Sequence, residues 1–140
     1  MSDYIKHFEI YDNIFRIRAP GYDPGAGPGN GTFGGMGKNM IDVIVGDKYA
    51  ALWDTGNGDI DLKGYIEQNI TTKPLIVFNS HGHVDHVRGN AQFDEVWIHE
   101  ADAESALKAM DPSFDMQGHP FCEAVRQAKD GKLRFVEEGQ

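Results

Sequence analysis

Residues 81–86 read His-Gly-His-Val-Asp-His, which places three imidazoles and one carboxylate within six consecutive positions. Neutral imidazole nitrogen and carboxylate oxygen are the donors that suit zinc and its borderline neighbours, and a catalytic site built from them keeps one coordination position open for water. His81 and His83 are two residues apart, so in an extended loop they point to the same side. Asp85 and His86 follow where the chain is expected to turn into a short helix, which would aim them at a second position close by. The spacing therefore permits two adjacent metal ions. A lone histidine in a polar loop is ordinarily a surface residue, but that account does not cover four ligand-type residues gathered in one short loop directly after an apolar strand.

Other residues invite a chemical reading and give less. Ala51-Leu52-Trp53-Asp54-Thr55-Gly56 resembles the Asp-Thr-Gly signature of retroviral-type aspartic proteases, in which each half-size chain contributes one Asp to a dimeric dyad. The helical segments and the histidine cluster speak against it, and a strand-end turn is a further reading of Asp54. Gly29-Asn30-Gly31-Thr32-Phe33-Gly34 matches a dinucleotide-binding glycine pattern, yet no strand precedes it and no helix follows. Gly37-Lys38 fails as a phosphate loop, because Thr32 stands in place of its first glycine and Asn39 in place of its Ser or Thr. Cys122 lies in a helical-looking stretch and reads as a buried structural thiol. His99 ends a strand and His119 precedes Pro120 at a helix start, and both read as structural.

The elements that must position the cluster follow from hydrophobic periodicity. Phe8 to Tyr11 and Ile14 to Ile17 alternate around Asp12-Asn13 and predict a hairpin of two edge strands. Pro20 to Gly37 is dominated by Gly and Pro and reads as a long mobile loop. Met40 to Val45 and Tyr49 to Trp53 read as strands around the Gly46-Asp47 turn, and Asp59 to Ile70 has helical spacing. Pro74 to Phe78 is an unbroken apolar run, the pattern of a strand covered on both faces, and it ends at Asn79-Ser80 just before the histidines. Glu95 to Ile98 and Leu133 to Val136 read as further strands, Ala101 to Met110 and Pro120 to Lys129 as helices. An antiparallel start followed by strand–helix–strand order predicts a mixed α/β sheet with helices packed on it, and ligands of such sheets collect at the carboxyl ends of the strands.

Composition bounds the rest. A chain of 140 residues is long enough for one domain, residues 1–140, with its own core. Thirteen Lys and Arg against 22 Asp and Glu give 13 − 22 = −9, a mean field that repels polyanions and argues against nucleic acid and acidic membranes as partners. No apolar run approaches the length of a membrane span, and the first residues lack the basic and apolar regions of a signal peptide. With a single cysteine, a cytoplasmic location is the expectation.

The pattern His81-x-His83-x-Asp85-His86 is similar to the signature of the metallo-β-lactamase superfamily. The resemblance extends to Asp54-Thr55-Gly56 after its strand, the helix that follows, the strand Leu75 to Ser80 and the pair Gly89-Asn90. It implies that His81 and His83 are ligands of a first metal, that Asp85 and His86 are ligands of a second, and that Asp85 also orients the attacking hydroxide. Asp54 resembles the family's buried acid beneath the metal loop, which orients ligands from behind. The implied activity is metal-assisted hydrolysis, in which zinc, as one or two ions, with iron or manganese as other occupants, brings the pKa of water towards ~7 and polarises the carbonyl of a small-molecule ester, thioester or lactam. Thioester or small-ester hydrolysis is the expected chemistry.

Members of that family are roughly twice this length and bring a third His, a bridging Asp and a last His from a second half. The resemblance thus implies the N-terminal half of an αββα sandwich, with helices on one face of the sheet and the other face bare. A fragment, a naturally short homologue and a chain completed by pairing with itself all fit. Alone, the chain is expected to bind metal weakly and hydrolyse poorly. The competing expectation is a non-catalytic metal-binding or interaction module with the same fold. A bare apolar sheet face predicts either a homodimer or cover by a missing C-terminal half.

Overall fold

The computed structural model describes residues 5–20, 38–58, 60–111 and 132–136. The Gly/Pro-rich stretch 21–37, the expected helix at 120–129, Cys122 and His119 lie outside them. The described residues form one sheet of seven strands in sequence order: β1 (Lys6–Tyr11), β2 (Ile14–Pro20), β3 (Lys38–Val45), β4 (Ala50–Trp53), β5 (Leu75–Phe78), β6 (Glu95–His99) and β7 (Lys132–Val136). Pairing is antiparallel from β1 to β4 and parallel from β4 to β7. The expected mixed sheet is therefore present.

The β1–β2 hairpin turns at Asp12-Asn13, with Asn13 in the left-handed conformation that asparagine tolerates. Of these two hairpin strands only β1 lies at an edge of the sheet. β2 pairs with β3 along its whole length, from Ile14 opposite Ile44 to Pro20 opposite Lys38, which corrects the expectation of two edges.

Residues opposite one another in a ladder share a face. Phe15, Val43, Leu52, Val77, Val96 and Leu133 form one such row, and this is the covered face. Helix α1 (Leu62–Asn69) lays Leu62 and Ile66 on it, and both are fully buried with Ile17, Ile41, Val43, Leu52, Val77 and Val96. Helix α1 starts later than its apolar spacing suggests, because the Asp61 carboxylate accepts from the Gly64 N–H and caps it there. Helix α3 (Ala103–Met110) packs Ala106 and Ala109 against Val87 and Ile98 in a second cluster on the same side.

The opposite face has no cover among the described residues. Phe8, Arg16, Asp42, Trp53, Phe78, Trp97 and Arg134 form one row across all seven strands, and Ile14, Ile44, Ala51 and Ile76 form the next. Strand β5 is thus not covered on both faces: Val77 is buried while Ile76 is 40% exposed. Of the β3 residues, Ile41 and Val43 turn to the helices and Ile44 to the open face. Among the described residues no helix is long and apolar enough to cross a membrane.

Candidate metal centre

The parallel strands β4 and β5 end side by side, and two short hydrogen bonds prolong the ladder past them: Asp54 N–H to Phe78 O at 2.7 Å and Asn79 N–H to Trp97 O at 2.8 Å. Asp54 and the 79–86 segment therefore leave the sheet at one edge, the carboxyl end where ligands collect. From there His81 and Gly82 continue as a bend, His83 stays extended, and helix α2 (Val84–Val87) carries Asp85 and His86.

The three imidazoles meet. The His81 ring lies 4.5 Å from that of His83 and 4.1 Å from that of His86, centroid to centroid, and Asp85 Oδ2 stands 3.4 Å from His86 Nε2. Asp54 sits beneath them, buried and in the left-handed conformation that Asp tolerates better than most residues. Its carboxylate accepts from Ser80 N–H at 2.7 Å, from Ser80 Oγ at 2.7 Å and from His86 Nδ1 at 2.9 Å. With Nδ1 held by Asp54, Nε2 is the nitrogen of His86 that remains for an ion. A carboxylate behind a ligand imidazole fixes ring orientation and tautomer in this way. The Asp54 hydrogen bond raises the pKa of His86 above 6.5; burial opposes this, and the charges of Asp54 and Asp85 reinforce it.

A buried polar clamp holds the loop from below. Thr55 N–H and Oγ1 reach the His86 carbonyl at 2.9 and 3.1 Å, Thr55 Oγ1 lies 2.7 Å from Asn90 Oδ1, and the Asn79 and Asn90 amides bond each other at 2.8 and 3.1 Å. Gly89 packs so closely on the Thr55 carbonyl that a β-carbon there would overlap backbone. Gly89→Ala is expected to destabilise the protein by about 1–3 kcal/mol through this overlap. A lowered urea midpoint with unchanged slope checks it, and an unchanged midpoint refutes it.

In kind, the donors fit a divalent ion such as zinc. As packed here the rings touch one another, and among the described residues no group of three or more such side chains is spaced to hold an ion as it stands. The His81 ring is partly exposed and His83 exposed, while the backbone beneath them is held by the Thr55, Asn79 and Asn90 hydrogen bonds. The two other histidines described are engaged elsewhere: His7 Nδ1 with Tyr65 Oη at 2.7 Å, and His99 Nδ1 accepting from Ala101 N–H at 3.1 Å. The second agrees with a structural role for His99.

The sequence model of the metallo-beta-lactamase superfamily matches residues 40–137. The chain belongs to that superfamily. An acyl-coenzyme A thioesterase of Bos taurus, MBLAC2, is 27% identical over a match of 117 residues that covers 76% of this chain and 38% of that protein. Among solved structures, a metallo-beta-lactamase from Pontibacter korlensis superposes with a TM-score of 0.58 at 18% identity, over 74% of this chain and 47% of that one. The mono-zinc form of the FIM-1 metallo-beta-lactamase from Pseudomonas aeruginosa gives 0.59 at 15% identity, over 75% and 46%. This chain thus spans less than half the length of each of these relatives. Metallo-beta-lactamase membership and the buried Asp54, whose oxygens are taken by Ser80 and His86, exclude the aspartic-protease reading, which needs that carboxylate to face its twin across a dimer.

The roles of Ser80 and Thr55 are not legible from residue type, because each works through a contact with residues far along the chain, Asp54 for Ser80 and Asn90 for Thr55; Asn79 bonds nearer by, to His86 and Asn90. A small hydroxyl residue between an apolar strand and a histidine cluster is the one local signal that marks Ser80.

Proposed function

We propose that the chain supplies one side of the active site of a metal-dependent hydrolase. His81 and His83 hold one ion, Asp85 and His86 contribute to a second beside it, and Asp54 orients His86. The observation that carries the reading is the meeting of three imidazoles at a strand end with a buried carboxylate fixed behind one of them. Zinc, or iron or manganese in its place, would supply Lewis acidity and a lowered pKa for water. Asp85, partly exposed at the mouth of the cluster, orients the attacking water and accepts its hydrogen bond. A thioester is the favoured substrate class, supported by the sequence expectation and by the activity named for the bovine relative.

Among the described residues the loop brings four donors, and the sheet is uncovered on the side opposite the helices. This favours a second reading, in which the 140 residues by themselves bind metal with little turnover. Isothermal titration with zinc separates the possibilities. Wild type is expected to bind at neutral pH, and His81→Ala/His83→Ala to lose at least roughly 100-fold in affinity. Zinc binding that survives the double substitution would end both readings. Turnover of an acyl-coenzyme A thioester by the zinc-loaded chain would favour the enzyme, and binding without turnover the module. Ligation requires neutral imidazole, so affinity falls as pH falls, and the raised pKa of His86 shifts that loss to higher pH than an unperturbed imidazole would give. A reducing cytoplasm is the proposed setting, supported by the single cysteine.

A further inference from the structure

Gly82 lies between the two histidines of the proposed first metal, and what touches it comes from helix α3, about twenty residues further along the chain. Its N–H donates to Asp102 Oδ1 at 3.0 Å. On its other side a β-carbon would run into Ser105 Oγ, the Asp102 carbonyl and the Ala106 N–H, so the first turn of α3 fills the space where a side chain would stand. Asp102 is also the N-cap residue of α3. An aspartate in that position ordinarily turns its carboxylate onto the first N–H groups of its own helix. Here it makes no such bond and reaches across to the loop instead.

We infer that Asp102 is a positioning residue for the metal loop: it fixes the peptide between His81 and Gly82 and so sets the two imidazoles of His81 and His83 on one side of the chain. The Gly82 N–H belongs to the peptide that follows His81, and holding it fixes the backbone rotation by which His81 is aimed. The close packing of Gly82 on α3 holds the residue against the helix and so limits the backbone rotations on either side of it. Rotation about the single bonds on either side of that peptide would swing His83 relative to His81 and part the two rings. Helix α3, which carries none of the four donors, thereby acts on the metal site through one hydrogen bond and one missing side chain.

This inference rests on the proposed metal site, and its test separates the two. Amide hydrogen exchange of Gly82 is measured by NMR in the metal-free full chain for wild type, Asp102→Ala and Asp102→Asn, with zinc affinity and thermal midpoint recorded for each. Asparagine keeps both the capping ability and an oxygen acceptor. Asp102→Ala is expected to release the Gly82 amide and weaken zinc binding roughly tenfold, while Asp102→Asn restores both to within about threefold of wild type. A purely structural role would lower the thermal midpoint of Asp102→Ala and leave Gly82 exchange and zinc affinity as they were, and that result overturns the inference. Release of Gly82 without loss of zinc affinity also overturns it. Wild type that binds no zinc would refute the metal reading, while Gly82 exchange and the mutual ring shifts of His81 and His83 in the same variants would still decide the positioning.

Discussion

Asp54→Ala is expected to cost about 3–5 kcal/mol of folding stability, a large part of the ~5–15 kcal/mol that holds a domain together. The size of the loss comes from what the carboxylate leaves behind. Ser80 N–H, Ser80 Oγ and His86 Nδ1 all donate to the buried carboxylate, and with alanine the Ser80 N–H and His86 Nδ1 lose that acceptor while Ser80 Oγ keeps only His81 Nδ1 at 2.9 Å. Alanine also tolerates the positive φ of residue 54 less well than aspartate. Zinc affinity should fall roughly 10–100-fold as well, because His86 loses the partner that fixes its ring. Asp54→Asn should lie between, since asparagine accepts the left-handed backbone and keeps one oxygen but turns an amide towards a donor. Urea unfolding and zinc titration of the three proteins check this; a stability loss under about 1 kcal/mol in Asp54→Ala would show that the buried network is not what holds the loop.

The same pair gives the metal-free protein a pH dependence of definite sign. The folded pKa of His86 is raised above its ordinary 6.5, chiefly by Asp54. A raised folded pKa contributes stability that is fully present below 6.5 and is lost as pH rises through the folded value. The contribution should vanish in Asp54→Asn.

Much of this was legible in the sequence where the controlling interaction is local. The alternation of Met40 to Val45 puts Ile41 and Val43 on one side of the strand and Ile44 on the other, though not which side the helices cover, and His81 to His86 declare their chemistry by type and spacing alone. What could not be read joins residues far apart in the chain. Asp54 meets Ser80 and His86, Thr55 meets Asn90, and Gly82 meets Asp102; no periodicity marks such pairs before the strands are in register. The apolar run at β5 misled for a related reason. Uniform hydrophobicity states that both faces avoid water and not what covers them, and in this structure the helices cover only the face that carries Val77.

The open face of the sheet leads to the last expectation, that the isolated 140-residue chain associates with itself in solution and that Ile44→Glu raises the dimer dissociation constant at least roughly tenfold. Phe8, Met40, Ile44, Trp53 and Ile76 lie there between 40% and 51% exposed. Trp53 and Phe78 pack ring to ring at 5.7 Å and, with Ile44 and Ile76 of the adjacent row, form a contiguous apolar stretch. Soluble monomers seldom expose contiguous apolar patches beyond a few hundred Å². Two ion pairs on this face are made within the chain, Arg16 with Asp42 at 2.8 Å and Arg134 with Glu95 at 3.1 Å, while Lys6 and Arg18 stand opposite each other at one end of it, so a facing copy is best seated over the apolar rows between. A two-fold axis would set the same rows against each other, which is how a self-complementary interface is built. Ile44 is distant from the metal loop in sequence and touches none of its clamp, so its replacement should leave zinc affinity unchanged while it breaks the association. Sedimentation at micromolar concentration decides the matter: a wild-type chain that runs as a well-behaved monomer, or an Ile44→Glu variant that associates as strongly as wild type, would show that this face is not the interface.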